Sequence, residues 1–406
     1  KNPNILVILG GPEFPAGTGS RKIQDTERDK TYTKSFNYLK ERPAVDYFAY
    51  SDGEVVFFEI IKEFIKMNNS VKEMKREDQP IRGCASLSNN KETLLVGEYV
   101  PRLGMEGSVK AQGRDEIPSP YLSGILDRFL NGKYVPAFET ARGCPFLCTF
   151  CDQARTGARR RSPKKVVEEI KEIVTKYGVK EISFWDDTMS YHKKWMREFL
   201  ELLIKENLDL VWSCYAAVNT VDKEILQLMR LAGCWNIFYG YETAIDELAE
   251  NIQTNRKNKN FERMKQVAKW TKEVGIEVRG SFLIGLPGET PELAKQTVQN
   301  AIELDPDYAQ FTLVCPYPGT KLAKEIEQGK WGKFITRDLE EYQCWNVTWL
   351  PEGYKNPKEL KDMERYAFRK FYLRPSYIFK RILKIRTLED IKRYLKGGTA
   401  LIKSFL

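Results

Sequence analysis

The chain has 406 residues, 42% of them hydrophobic and 30% charged, with a formal charge of +9. That balance is ordinary for globular proteins and excludes wholesale disorder or a fibrous architecture; the length predicts two or three domains. Apolar runs are short and interrupted by charge, which excludes a transmembrane helix.

In chain order, the first predicted element is a buried strand, Ile5 to Leu9, running into Gly10-Gly11-Pro12. The opening Lys1-Asn2-Pro3 has neither an initiator Met nor a secretory-type sequence, so the chain reads as the later part of a longer polypeptide. A second strand, Val45 to Tyr50, runs into Ser51-Asp52-Gly53-Glu54, and a helix spans Val55 to Met67. Two strands ending in glycine-containing turns read as the later part of a Rossmann-like, doubly wound domain over residues 1–70. Residues 71–135 read as a linker with a small β element at Thr93 to Val100.

From Pro136 onward, short β-like runs alternate with amphipathic helical stretches, the pattern of parallel βα units. The predicted strands are Ala137 to Ala141, Glu181 to Trp185, Leu210 to Ala216, Asn236 to Tyr241, Glu277 to Ile284 and Tyr308 to Val314. Ser162-Pro163 predicts a helix start before Val166 to Tyr177, and Gly178 its stop. The fold class is therefore α/β: a partial (β/α)6 barrel over residues 136–335, with its active site at the carboxyl ends of the strands. Residues 336–406 read as a helical C-terminal region, rich in aromatic and basic residues from Tyr366 to Arg381 and apolar from Leu401 to Leu406. The preferred reading of that region is a helical cap across the barrel. The alternative is an interfacial helix docking on anionic membranes. No nucleic-acid-binding motif is present.

Eight cysteines are too few for a disulfide scaffold, and three crowd into the first βα loop as Arg142-Gly143-Cys144-Pro145-Phe146-Leu147-Cys148-Thr149-Phe150-Cys151. This clustering favours a metal site in a reducing cytoplasm. The spacing lets one loop wrap three corners of a cuboidal iron-sulfur cluster and leaves one iron open. Zinc also accepts three thiolates but normally takes a fourth ligand, and the sole histidine, His192, lies in another unit. The remaining cysteines, at 84, 214, 234, 315 and 344, have no close metal-ligand spacing; Cys214 and Cys315, at strand ends, read as buried small hydrophobes, with a substrate role as the alternative.

These residues resemble the radical-SAM superfamily, whose hallmark CxxxCxφC with an aromatic φ is matched by Cys144, Cys148, Phe150 and Cys151. The resemblance implies a [4Fe-4S] cluster on the three cysteines. It also implies that S-adenosylmethionine (SAM) chelates the open iron and is cleaved reductively to a 5′-deoxyadenosyl radical, with Phe150 beside the adenine. By the same resemblance Asp186 and Asp187 lie near the amino end of SAM, although helix capping accounts for them equally well. Glu242, in Tyr239-Gly240-Tyr241-Glu242-Thr243, matches a glycine-glutamate motif that contacts SAM, with a structural salt bridge as the alternative. Gly285, Gly288 and Glu289, in Gly285-Leu286-Pro287-Gly288-Glu289-Thr290, match a glycine-rich turn beside the adenine, where Glu289 could instead cap the next helix. Cys315 to Thr320 resembles a turn closing the SAM pocket.

The first 65 residues, through Gly10, Gly11 and the second strand, resemble the final strands of the cobalamin-binding domain that precedes many radical-SAM barrels. The usual DxHxxG element, source of the lower cobalt ligand, does not occur in the chain. What the resemblance implies is class B chemistry: cobalamin-dependent methylation of an unactivated carbon on a small-molecule or lipid substrate. The electron donor would be a reductase, flavodoxin or ferredoxin. The alternatives are radical cyclisation or rearrangement, with or without cobalamin, and a non-catalytic iron-sulfur electron-transfer protein. The expected location is the cytoplasm, with membrane contact only through the C-terminal tail.

Overall fold

The structure, a computed structural model, describes residues 5–10, 33, 35–49, 53–98, 100, 119–130, 134–154, 156–254 and 260–385. Gly11 and the apolar stretch Leu401 to Leu406 lie outside the described residues. The chain divides into two units, Lys1–Gly104 and Met105–Leu406.

In the first unit, strand β1 (Ile8–Gly10) pairs in parallel with β2 (Tyr47–Ala49), as Ile8↔Tyr47 to Gly10↔Ala49. Alternation along β2 covers both faces of the sheet. Tyr47 and Ala49 pack with Val56 and Ile60 of helix α1 (Gly53–Lys66), whereas Phe48 packs with Leu39, Leu87 and Leu94. Buried Asp46 accepts a bond from Val7 N at 2.9 Å and pairs with Lys75 at 3.3 Å, fixing the strand entry. After α2 (Val71–Met74), β3 (Cys84–Leu87) and β4 (Leu94–Val96) extend the sheet antiparallel, in the order β1-β2-β3-β4. The unit thus takes in much of the segment read as a linker. β4 falls within the predicted β element; β3 was not expected, because Cys-Ala-Ser-Leu is too short and small-sided to show a period of two.

In the second unit, β5 (Ala137–Phe138) is followed by a short antiparallel pair, β6 (Ala141–Arg142) and β7 (Arg159–Arg160). Then come α3 (Pro163–Tyr177), β8 (Glu181–Phe184), α4 (Lys193–Glu206), β9 (Val211–Ala216), α5 (Lys223–Leu231), β10 (Cys234–Glu242), α6 (Asp246–Asn251), α7 (Phe261–Glu273), β11 (Glu277–Ile284), α8 (Pro291–Leu304), β12 (Tyr308–Leu313) and α9 (Lys321–Glu327). Strands β5, β8, β9, β10, β11 and β12 form one six-stranded parallel sheet in sequential order, the partial barrel that the alternation predicts. The caps are local. Ser162 Oγ accepts from Lys165 N at 3.2 Å, Pro163 begins the helix, and Gly178 ends it at φ +65°. Thr290 and Pro291 repeat the device before α8, and each such cap stabilises its helix by about 1 kcal/mol.

Period-two alternation sorts the strand residues. Ile182, Phe184, Trp212, Cys214, Ile237, Tyr239, Val278 and Phe282 are buried with Val166, Ile170, Phe199, Leu226, Val267 and Val298 of the helices. Their neighbours Ser183, Ser213, Tyr215, Phe238, Arg279, Ser281, Gln310 and Thr312 are half-buried or exposed on the other face. The hydrophobic layer is therefore between sheet and helices, and the concave side remains polar and aromatic.

Beyond the barrel, β13 (Gly332–Phe334) pairs with β14 (Trp349–Pro351), followed by α10 (Pro357–Tyr372) and α11 (Pro375–Leu383). Helix α10 covers the edge strand: Phe371 is fully buried, and Tyr372 Oη accepts from Ala309 N (3.1 Å) and donates to Ala309 O (2.7 Å). Asp305 takes Lys380 (2.6 Å) and Lys272 (3.4 Å), while Asp307 takes Lys384 (2.6 Å) and Arg381 (3.5 Å). Through residue 385 the aromatic and basic tail is thus a cap on the barrel, its cations bound to barrel carboxylates. Among the described residues no helix is long and apolar enough to cross a membrane.

Candidate active site

The cysteine loop is built from its neck upward. After Phe138 the chain leaves the sheet, and Ala141↔Arg160 and Arg142↔Arg159 pair antiparallel, pinching residues 143–158 into a closed loop. Asp186, 1% exposed just past the end of β8, holds the departure point by accepting from Thr140 N (2.7 Å), Ala141 N (2.9 Å) and Thr140 Oγ1. Burial pushes its carboxyl up to about 6, against the opposing pull of those donors and of the Arg160 charge. Arg160, 4% exposed, donates to Thr188 O (3.2 Å) and Met189 O (2.8 Å) and lies 4.0 Å above the Tyr191 ring. Arg160 is thus a buried strut between the loop neck and the second βα loop.

Inside the loop, Thr156 Oγ1 accepts from Cys144 N at 3.1 Å and donates to Gln153 O at 2.8 Å. Thr149 bonds the barrel on both sides: its N donates to Ile252 O (3.0 Å), and its O accepts from Leu322 N (2.9 Å). Phe150 packs against the cluster of Ile252, Leu286, Val314, Leu322 and Ile326. The thiols of Cys144 and Cys148 are buried and that of Cys151 half-buried. Among the described residues no three His, Cys, Asp or Glu side chains converge on a single metal ion. A cubane differs from zinc here, since its irons sit at separate corners and its thiolates need not meet at a point.

Gly143 has φ +86°, and a Cβ there would lie 2.5 Å from Gly157 O and 2.7 Å from Thr156 Oγ1. Gly143→Ala therefore meets both strain and a backbone clash, costing roughly 1–3 kcal/mol. We expect a lowered melting temperature and lower iron retention after anaerobic reconstitution. Unchanged iron content and melting temperature would contradict this reading of the loop.

Strand β10 carries an irregularity between Gly240 and Glu242 in its pairing with β11, and Glu242 takes φ +60° while only 6% exposed. A carboxylate in the left-handed region at a bulge is a costly arrangement of the kind that re-aims side chains at sites. Gly285 (φ +80°) and Gly288 (φ +79°) shape the turn after β11. A Cβ on Gly288 would lie 2.8 Å from Asn251 Nδ2, which donates to Pro287 O at 3.0 Å, so protein packing alone accounts for that glycine.

Six residues read as ligand contacts or alternatives have their settings fixed by the fold. Glu289 is fully buried and accepts from Gly285 N and Tyr354 Oη, both at 2.6 Å, so it braces the turn from behind instead of facing a cofactor. Asp186 is likewise engaged with backbone, while Asp187 is exposed. His192 caps α4, its Nδ1 accepting from Trp195 N at 3.2 Å. Cys214 and Cys315 are buried; the hydrogen bond with Cys234 and then burial raise the first thiol, and burial raises the second.

Burial pushes Glu289 up to about 7 from an ordinary 4.5, with the bonds from Tyr354 and Gly285 opposing. The folded state then binds the proton more tightly than the unfolded one, so this contribution is fully present below about pH 4.5 and lost as pH rises through about 7. The loss amounts to about 3 kcal/mol as an order of magnitude. Glu289→Gln should flatten the decline in melting temperature between about pH 5 and pH 8; an unchanged slope would show that Glu289 does not titrate there.

Residues 138–301 match the family model "Radical SAM superfamily". An uncharacterized methyltransferase of Pyrococcus horikoshii is 30% identical over 406 residues, covering 98% of this chain and 78% of that protein. The chain belongs to the radical SAM superfamily. An anaerobic magnesium-protoporphyrin IX monomethyl ester cyclase of Rubrivivax gelatinosus is 30% identical over 276 residues, 67% of this chain and 47% of that protein, so the match spans about half of that relative. Among solved structures, the radical SAM methyltransferase TsrM of Kitasatospora setae, with cobalamin and [4Fe-4S] cluster bound, superposes with a TM-score of 0.61 at 17% identity, covering 91% of this chain and 79% of that one. The cobalamin-dependent radical enzyme OxsB with aqua-cobalamin also gives 0.61, at 14% identity, covering 98% of this chain and 63% of that one. At these identities the likeness establishes the fold.

Proposed function

We propose that this chain is a cobalamin-dependent radical SAM methyltransferase acting on an unactivated carbon of a small-molecule substrate. The observation that carries the proposal is the cysteine loop: three thiols on one segment, pinched at its neck by β6 and β7 and tied to the barrel through Thr149. Cys144, Cys148 and Cys151 hold three corners of a [4Fe-4S] cluster. When bound there, such a cluster would supply the electron for reductive cleavage of SAM. Phe150 packs beside the adenine, Glu242 bonds the polar part of SAM, and Gly285 and Gly288 shape the turn beside it. The protein's share is to fix the cosubstrate and exclude water from the radical.

Methyl transfer is supported by the Pyrococcus relative, which is named a methyltransferase and covers 98% of this chain. Cobalamin is supported by the shared fold with TsrM and OxsB, whose structures hold it. Residues 1–70, with Gly10 and Gly11, are the part of this chain assigned to it. The sole histidine is committed to a helix cap, so this sequence supplies no imidazole lower ligand. A reduced flavodoxin or ferredoxin suits the electron supply, in a reducing compartment.

The test is anaerobic reconstitution with iron and sulfide, then dithionite and SAM, with 5′-deoxyadenosine measured against time. Product formation supports the reading, and its absence above a no-iron control contradicts it. Hydroxocobalamin carried with the protein through gel filtration supports the cobalamin assignment. Radical formation with no corrinoid retention would instead leave a cobalamin-independent radical enzyme.

A further inference from the structure

Period-two alternation that buries one face of the barrel sheet presents a row of large side chains on the other. Tyr215, Phe238 and Arg279 are direct register partners across β9, β10 and β11. Trp185, just past the end of β8, continues the row. Its ring lies 6.4 Å from that of Tyr215, Tyr215 lies 5.2 Å from Phe238, and the Arg279 guanidinium carbon is 5.1 Å from the centre of Phe238. The flanking residues Phe184, Cys214, Ala216, Ile237, Tyr239 and Val278 are all in the core beneath the helices, which puts the row on the concave side.

Two features separate this row from ordinary packing. Trp185 is 63% exposed, and Tyr215 and Phe238 are only half-buried, so a broad aromatic ledge lies bare inside a barrel. Arg279 is exposed and, among the described residues, has no carboxylate partner: its guanidinium lies over the Phe238 ring and acts electrostatically on the Tyr372 hydroxyl. Glu277, two residues earlier, is instead paired with Lys384 at 3.5 Å. No acid belongs to the row; on the same face Ser183, Ser213 and Gln310 are neutral, while the two acids one step along the strands are engaged elsewhere, Glu277 with Lys384 and Glu181 as acceptor from Trp235 Nε1 at 3.2 Å. A guanidinium already stacked on a ring keeps its edge N–H donors in plane and free, the geometry that grips a carboxylate through two parallel bonds. Aromatic faces beside it favour a flat apolar body.

We propose that Trp185, Tyr215, Phe238 and Arg279 form the substrate platform of the barrel, selecting a substrate with a broad, flat apolar body and a carboxylate. The aromatic ledge covers the body and Arg279 pairs with the carboxylate. This rests on the radical SAM reading for the reaction that follows, but the binding itself needs neither SAM nor an electron.

Binding is therefore tested alone, on the full reconstituted chain, by the fluorescence of 1-pyrenebutyrate and of its neutral analogue 1-pyrenebutanol. The acid should bind about tenfold or more tightly than the alcohol, the effect of one charge-assisted pair. Arg279→Gln should erase that preference while leaving alcohol binding unchanged, and Trp185→Ala should weaken both probes by a similar factor. Equal binding of acid and alcohol to the wild type, or a preference that survives in Arg279→Gln, overturns the proposal. The same preparations are assayed for 5′-deoxyadenosine. A wild type that makes the nucleoside but ignores the carboxylate sinks the platform alone; one that prefers the acid yet never cleaves SAM sinks the reaction alone.

Discussion

Cys148→Ala, reconstituted anaerobically beside the wild type, is expected to lose 5′-deoxyadenosine formation by about 100-fold or more, beyond what loss of an outer-shell contact produces. The substitution removes one sulfur from a buried position and leaves the backbone bonds of Thr149 to Ile252 and Leu322 in place, so the barrel stays folded. Two thiolates remain, and a cubane held at two corners has two irons open to water and chelators. Bound iron should therefore fall well below the value of about four per chain expected of the wild type. The control is Cys214→Ala, which removes a thiol of strand β9 buried under the helices and not part of the loop, and which should keep its iron and activity. Equal loss in both variants would mean that the iron signal reports general thiol chemistry and not this loop.

The second large effect is expected at Glu242. Its φ of +60° is a conformation that costs a non-glycine residue roughly 1–3 kcal/mol, which glycine adopts without strain. Glu242→Gly relieves that strain while deleting a mostly buried side chain, and the two effects oppose each other, so the melting temperature should change little. SAM affinity should not be spared. Loss of one charge-assisted hydrogen bond amounts to about 1.5–3 kcal/mol, or roughly 10- to 100-fold in the dissociation constant. Equilibrium dialysis with labelled SAM, paired with a melting curve, separates the possibilities. A collapse in stability with unchanged affinity would make Glu242 a structural carboxylate.

Much of the barrel was legible because each of its strands carries its own signal. Five of the six predicted strands lie within a residue or two of their observed limits, and Ser162-Pro163 and Gly178 delimit α3 as expected. The first strand is the exception. Ala137 to Ala141 reads as one run, but the strand ends at Phe138, and Asp186, 46 residues after Thr140, holds Thr140 and Ala141 out of the sheet. Such a long-range bond leaves no local trace. Arg160 leaves no local trace either: nothing in three consecutive arginines marks the middle one as buried, and only tertiary packing shows it.

The cysteine motif was fully visible, because three thiols on one short loop are a local pattern. The roles of the surrounding carboxylates were not. Glu289 follows a glycine-rich turn and could equally face a ligand or the framework; Tyr354, 65 residues on, takes it for the framework. The aromatic row was missed because alternation in a strand marks two faces without saying which is filled. Tyr215 and Phe238 look like core residues until the helices are seen to occupy the other side.

The most direct test of the whole account is electron paramagnetic resonance of the anaerobically reconstituted, dithionite-reduced protein, recorded before and after addition of SAM. The account predicts the signal of a reduced [4Fe-4S] cluster whose line shape changes when SAM is added, because SAM ligates an iron that no side chain holds. A cluster signal that SAM leaves untouched, or a protein that takes up one zinc and no iron, would contradict it.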